Sequence, residues 1–160
     1  MAGRDEENHP TAGRLANLDI SGASIVAGGG EYGESRFTED GVIGVGLFRA
    51  CTGLNTIKLP MGAVKIEKEA FEGCTSLRSI TIPASVSAVS PSAGCTSLEN
   101  IDVSAANTYF MSKDGVLLSS DGKRILWFPM GKKGEYTLPS TIESVGDYAF
   151  RESNVEKFVF

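Results

Sequence analysis

Few side chains in this sequence could support catalysis. Its single histidine, His9, stands beside Pro10 in a polar opening segment, so a Ser-His-Asp or Cys-His arrangement has only one poor candidate for a base. Asp114 and Asp121 each precede a glycine, which is typical of turns, and they lack the fixed ligand steps and closing glutamate of an EF-hand. We therefore predict a protein that is not an enzyme and that has no metal site and no cofactor.

The three cysteines are the next candidates for chemistry. Cys51, Cys74 and Cys95 recur at intervals of 23 and 21 residues, whereas zinc sites are usually built from pairs of cysteines two residues apart. Equivalent positions in successive repeats would hold the three side chains parallel in a stack, and parallel directions oppose disulfide geometry. We favour free, buried thiols that act as small hydrophobic residues, with a disulfide as the alternative.

A glycine-rich run at 28–33, GGGEYG, formally matches the GxGxxG pattern of phosphate-binding loops. Such loops hold phosphate at the N-terminus of a helix that follows them. The residues that follow here, ESRFTEDGVIG, show no amphipathic helix. A loop between repeats is the better interpretation.

The elements that position all these residues are repeats of roughly two dozen residues. An apolar triplet at offsets 0, 3 and 5 occurs in five copies: Leu15/Leu18/Ile20, Leu54/Ile57/Leu59, Leu77/Ile80/Ile82, Leu98/Ile101/Val103 and Val155/Phe158/Phe160. The final step of two residues suits a short strand that turns alternate side chains inward. One such turn cannot bury its apolar edge alone, so the copies must stack. We predict a β-rich repeat solenoid with a parallel sheet and, behind it, a spine of phenylalanines that includes Phe48 and Phe71.

Two segments, AFEGCTSLRSITIPASV and STIESVGDYAF, closely resemble the BspA-type (Treponema pallidum-type) leucine-rich repeat, and the resemblance extends over about 15–160. It implies a right-handed coil and a bacterial surface or secreted protein, hence an extracellular or cell-surface location. The third copy departs from the pattern, because SPSAGCTSL is two residues short and lacks the spine phenylalanine. The last copy has SNV in place of CTSL.

The repeat period is interrupted at about 104–135. Turn dipeptides at 114–115 and 121–122 bound two predicted strands, near Val116–Leu118 and Ile125–Phe128, which form a β-hairpin insertion. We predict a polar, flexible leader at 1–14 and one repeat domain at 15–160. A terminal strand without a cap leaves an exposed edge, so we expect further repeats beyond residue 160, or a partner that covers this edge.

Outward-pointing strand residues are predicted to align in a polar stripe, the usual binding surface of a solenoid. These candidates are Asp19, Thr56, Lys58, Ser79, Thr81, Asn100 and Asp102. Tyr109 and Trp127 of the insertion form a second candidate set, because aromatic residues are favoured at interfaces. For each strand residue the alternative is a solvated face without a ligand, and about half of the aromatic residues should cover the core of the insertion itself.

Composition narrows the class of partner. Acidic residues number 20 against 15 basic ones, without a cluster of lysine and arginine, which argues against nucleic acid. No apolar run approaches the ~18 residues of a membrane span, and the polar N-terminus does not resemble a secretory signal. We favour a non-catalytic adhesion or protein–protein interaction module that binds a host matrix protein or another cell-surface protein. The alternatives are a spacer without a ligand and a glycan-binding module that uses the aromatic residues of the insertion.

Overall fold

The computed structural model describes residues 16–28 and 37–159, which form a coil of short β-strands. The strands are β1 (Asn17–Asp19), β2 (Val42–Ile43), β3 (Thr56–Lys58), β4 (Lys65–Ile66), β5 (Ser79–Ile82), β6 (Ala88–Val89), β7 (Asn100–Val103), β8 (Phe110–Lys113), β9 (Val116–Ser119), β10 (Arg124–Trp127), β11 (Lys133–Thr137), β12 (Ser144–Val145) and β13 (Asn154–Val159). Helix is absent from these two ranges. The predicted leader at 1–14 and most of the glycine-rich run lie outside the described residues.

The main sheet takes one strand from each of the first four apolar triplets. Its order is β1-β3-β5-β7, and all three pairings are parallel. Ile57, Ile80 and Ile101 stand in register and turn inward, where each is almost completely buried. Because the pairing runs without a register shift, each repeat advances the coil by one strand spacing, about 4.8 Å. The predicted parallel solenoid is confirmed.

A second parallel sheet, β2-β4-β6, forms another side of the coil. Its strands have only two residues each, and Ile43, Ile66 and Val89 stand in register along it. Ile43 and Ile66 are completely buried and pack in the same core as the isoleucines of the main sheet. The coil therefore has one aliphatic core that two narrow sheets share.

The phenylalanine spine runs beside this core but stops at the third copy. Phe48 and Phe71 stack with ring centroids 5.4 Å apart and planes inclined by 6°. Ser92 occupies the next position, where it is buried, and its hydroxyl accepts a hydrogen bond of 3.2 Å from the backbone N–H of Phe71. A buried hydroxyl is costly only when it lacks a partner, so the missing ring is replaced by a hydrogen bond.

All three cysteines are buried thiols outside any disulfide, as we predicted. The Cys74 thiol donates to the carbonyl oxygen of Phe48 at 3.0 Å, and the Cys95 thiol donates to that of Phe71 at 3.2 Å. Burial raises the pKa of Cys95 to about 12. A hydrogen bond with Cys51, and then burial, raise the pKa of Cys74. Since the reactive form of cysteine is the thiolate, these thiols are structural.

The insertion contains three antiparallel strands, β8, β9 and β10, rather than the two that we predicted. Its last strand, β10, also pairs in parallel with β12 of the following repeat. At its first turn the Gly115 carbonyl accepts a hydrogen bond of 2.8 Å from the N–H of Ile101, and the Ser112 hydroxyl donates to the Ile101 carbonyl at 2.6 Å. The insertion therefore satisfies the outer edge of β7, where an unpaired strand would otherwise attract another chain.

After the insertion the coil continues around a second core. Here β11 and β13 pair in parallel. Phe128 lies at the centre, with its ring centroid 5.0 Å from that of Tyr136, 5.2 Å from that of Phe150 and 5.7 Å from that of Phe158. Gly131 joins this region to the first one, because its N–H donates to the Leu98 carbonyl at 2.7 Å.

Candidate binding face

The outward residues of the main sheet form two rows. We call Asn17, Thr56, Ser79 and Asn100 the amide row, and Asp19, Lys58, Thr81 and Asp102 the charged row. Register places the four members of each row on adjacent strands, and strand alternation turns them away from the core. The structure thus brings together all seven candidate strand residues, and Asn17 lies in the same stripe.

One end of the charged row is closed by an ion pair. The Lys58 ammonium lies 2.9 Å from the Asp19 carboxylate, which also accepts hydrogen bonds from the N–H and the hydroxyl of Ser21, at 3.0 and 2.6 Å. The Ser21 hydroxyl first, and then Lys58, hold the pKa of Asp19 well below its ordinary value. Exposed pairs of this kind contribute little stability, but this pair fixes the direction of the Lys58 side chain.

The other end of the charged row is open. Asp102 is exposed, and among the described residues no cation lies within ion-pair distance of its carboxylate. Thr81, between Lys58 and Asp102, is exposed as well. The row therefore presents a fixed, neutralised pair at one end and an uncompensated negative charge at the other.

The amide row ends against the insertion. Thr56 donates its hydroxyl to the Asn17 side-chain oxygen at 2.7 Å, so this end of the row is internally bonded. At the other end a Cβ at Gly115 would lie 2.4 Å from the Asn100 side-chain oxygen, and the φ of Gly115 is +75°. Only glycine fits this approach. The insertion thus borders the face beside Asn100.

A groove of about 370 Å³ borders the charged row. Lys58 and Thr81 form part of its wall together with Ser21 and Ser104, and apolar residues that follow the strands form the rest. These apolar residues are Leu59, Met61, Pro83 and Ala84. Met61 is 72% exposed, which is unusual for a large apolar side chain without a partner. This groove was not predicted from the sequence, although an apolar residue after the strand-ending proline recurs as Met61 and Ala84.

The aromatic residues of the insertion separate into one buried and one exposed residue. Trp127 is 1% exposed and packs in the first core, so the prediction that it contacts a ligand is wrong. A register shift between Ile125 and Trp127 explains the correction, because Trp127 pairs with Leu117 and joins the first core, whereas Ile125 pairs with Leu118 and joins the second. Tyr109 is 53% exposed, and its role as a contact stays a prediction.

The chemistry of this face is that of hydrogen bonding and charge. Its groups are amides, hydroxyls, one amine and two carboxylates, all on regular strands. Within 16–28 and 37–159, no group of three histidine, cysteine or acidic side chains could hold a metal ion. The same residues contain no helix long and apolar enough to cross a membrane.

Comparison with known families gives one clear result. The sequence profile of the BspA-type leucine-rich repeat region matches six copies, over residues 39–113 and 131–160. The match covers more than half of the chain and leaves out the middle of the insertion, including β9 and β10. Among curated proteins, no similar sequence is found.

Solved structures with this fold include two from bacteria. A leucine-rich cell-surface protein of Faecalibacterium prausnitzii is 21% identical, with a TM-score of 0.62 over 91% of this chain and 41% of its own. A leucine-rich repeat protein of Eubacterium ventriosum is 20% identical, with a TM-score of 0.50 over 74% of this chain and 45% of its own. At this identity the likeness concerns the fold alone. The chain spans less than half the length of either protein.

Proposed function

This chain belongs to the BspA-type leucine-rich repeat family, and from that premise we propose that it is a protein-binding module of a bacterial surface or secreted protein. It would bind an extracellular partner, such as a host matrix protein or a surface protein of another cell, through the main sheet. The observation that carries this proposal is the charged row with the apolar groove at its side. No chemical step is involved.

Rigidity supports recognition by this face. The row residues stand on strands that pair without a register shift, above isoleucines that are almost completely buried. A partner therefore does not have to order the backbone on binding, which removes part of the entropic cost of association. The Lys58–Asp19 ion pair also restricts one long side chain before the partner arrives.

The groove gives the face an anchor point. Binding energy concentrates where an apolar side chain enters a pocket that polar contacts surround. An apolar side chain of the partner would fill the space beside Met61 and Pro83, while a lysine or arginine next to it would meet the uncompensated Asp102. We therefore expect the partner segment to combine an apolar residue with a basic one.

The proposal is tested by measuring the binding of this chain to immobilised matrix proteins. The variant Lys58→Ala/Thr81→Ala/Asp102→Ala replaces three of the four residues of the charged row and leaves Asp19. The matched control Lys65→Ala/Glu67→Ala/Ser87→Ala removes a cation, an anion and a hydroxyl near the second sheet, including another close ion pair of 2.7 Å. We expect the first variant to lose at least about tenfold in affinity, ~1.4 kcal/mol, and the control to bind like the parent protein.

Equal losses in the two variants would show that the main sheet is not the site. If the folded parent protein bound none of the partners, the spacer interpretation would replace this proposal. Circular dichroism of all three proteins excludes unfolding as the cause of a loss.

A further inference from the structure

A second concavity lies where the second sheet ends. β6 is the last strand in the order β2-β4-β6, and the strands β10 and β12 that follow in the coil belong to a different sheet. Between them is a cleft of about 700 Å³, formed by the segments after β4 and β6, by β10 and by the segment after β12. None of its lining residues belongs to the amide row or the charged row.

The walls of the cleft are held together across the break. The Glu152 carboxylate, from the last repeat, accepts a hydrogen bond of 2.9 Å from the N–H of Gly94 in the third copy. On one wall Gly146 donates its N–H to the Ile125 carbonyl at 2.7 Å. A concavity with such fixed walls meets the usual condition for a small-molecule site, since these are mostly formed before the ligand binds.

The Tyr148 side chain extends from this wall of the cleft and packs in neither core. Its ring is 73% exposed, and its backbone is left-handed with φ 58°, a conformation that is uncommon for bulky residues. The equivalent residues of the first two repeats, Gly46 and Glu69, are left-handed as well, with φ of 70° and 61°. The left-handed backbone therefore belongs to the repeat, whereas the exposed aromatic ring is particular to Tyr148.

Charged side chains around Tyr148 divide into paired and unpaired groups. Arg151 lies with its guanidinium carbon 5.9 Å from the centre of the Tyr148 ring and 3.8 Å (Nε to carboxylate oxygen) from Glu152. Lys68, Arg124 and Asp147 also line the cleft, and within the described residues none of these three has an ion-pair partner. Glu69 lines the cleft as well, and its carboxylate lies 3.9 Å from the Arg49 guanidinium. Among the lining groups without an ion-pair partner in the described residues, the cations Lys68 and Arg124 therefore outnumber the carboxylate of Asp147, which favours an anion although the chain carries a net charge of -5.

We propose that this cleft binds a short acidic oligosaccharide, one that contains a uronic acid. The apolar face of a sugar ring packs on the exposed aromatic ring of Tyr148, which offers a large rigid surface. Neighbouring hydroxyls of the sugar match the planar groups of Arg124 and Asp147, and the uronic carboxylate takes a charge-assisted hydrogen bond from Arg124 or Lys68. The volume of about 700 Å³ lies within the range of ligand sites, roughly 300–1,000 Å³.

Calorimetric titration of this chain with three probes tests the proposal. The probes are xylotriose carrying one glucuronic acid, neutral xylotetraose, and a tetrapeptide with one glutamate. We expect saturable binding of the acidic sugar that weakens as salt is added, with affinity at least fivefold lower for the neutral sugar and for the peptide. This site is separate from the main sheet, so the result stands whether or not that face binds protein.

Two variants locate the site, each with a matched control. Tyr148→Asn removes the ring but keeps a residue that tolerates a left-handed backbone, and Arg124→Gln removes the charge. Each should weaken the acidic sugar at least fivefold. Phe37→Asn and Arg78→Gln remove an exposed ring and an exposed cation outside the cleft, and should leave affinity unchanged.

The proposal is overturned by the absence of binding by the acidic sugar, by equal binding of the acidic and neutral sugars, or by binding that the two cleft variants do not weaken more than their controls. Preference for the acidic peptide over the acidic sugar would also overturn it, and would assign the cleft to a protein segment. Thermal unfolding of each variant confirms that it is folded.

Discussion

The region before the insertion and the region after it solve the same packing problem with different side chains. Before it, strands pair without register shifts around a mainly aliphatic core. One register shift occurs within the insertion, between Ile125 and Trp127, and another after it, between Gly134 and Glu135. The core after the insertion is centred on a cluster of aromatic rings around Phe128. Where the repeat length is constant, small aliphatic side chains stack in the same way in each repeat. Where the repeat length is interrupted, the spaces in the core are irregular and large aromatic rings fill them.

The largest expected effect comes from Phe128→Ala. This ring contacts three others and is completely buried, so we expect a loss of about 3–5 kcal/mol in the free energy of unfolding. Denaturant unfolding measures this loss. Phe37→Ala, at a ring that is 57% exposed, is the control and should cost less than ~0.5 kcal/mol.

Hydrogen exchange on Phe128→Ala then tests whether the two regions are distinct. Amides of β11 and β13 should exchange faster, while those of β3 and β5 keep their protection, since local unfolding follows cooperative units. Equal acceleration in all four strands would show that the two cores unfold as one, and the comparison between them would fail.

A smaller effect is expected at the junction, from Gly131→Ala. A Cβ at this position would lie 2.7 Å from the Leu98 carbonyl oxygen and 2.7 Å from the Ser97 carbonyl carbon, which are backbone atoms that cannot turn aside. We expect a loss of about 1–3 kcal/mol, measured by thermal unfolding.

The control for the junction is Gly22→Ala, where a Cβ would meet nothing within 4 Å. It should change stability by less than ~0.5 kcal/mol. If Gly131→Ala were as stable as the control, the contact between residue 131 and the 97–98 backbone would not hold the two regions together.

The smallest effect is a gain. Ala50 has a φ of 56°, and the equivalent residues of the next two repeats are Gly73 and Gly94, with φ of 72° and 71°. Ala50→Gly removes the steric cost of a left-handed alanine, and part of that gain is lost to the greater freedom of glycine in the unfolded chain. We expect about 0.5 kcal/mol of added stability, measured by denaturant unfolding; a destabilised variant would contradict this account of the turn.

The fold of the region before the insertion was predictable because it depends on the spacing of apolar residues within each single repeat. Apolar spacing within one repeat determines which isoleucines turn inward, and stacking then aligns the polar rows. β8 was not predicted, because its sequence FMSK alternates weakly. The aromatic character of Trp127 favoured the wrong interpretation, and the register shift beside Ile125 that brings Trp127 into the first core is not visible in the sequence.

Features that depend on two distant segments could not be read from the sequence. The hydrogen bond from Phe71 to Ser92 needs the exact stacking of two repeats that differ in length. The cleft needs the break between β6 and the following sheet, and the groove needs two consecutive strand ends side by side. In each case residue types were visible, but their distances were not.

Because the insertion covers the outer edge of β7, it limits the width of the main sheet to four strands. Four strands at a spacing of about 4.8 Å give a surface only ~14 Å across between the outer strands, and the next parallel pair, β11 and β13, starts a separate surface with its own Glu135–Lys157 ion pair of 3.1 Å. The insertion therefore divides the outward polar surface of the coil into two short surfaces, one on the main sheet and one on β11 and β13. A partner that contacts both surfaces would gain affinity because binding to the first raises its effective concentration at the second. The number of surfaces that it contacts, more than the area of either one, would then determine its affinity.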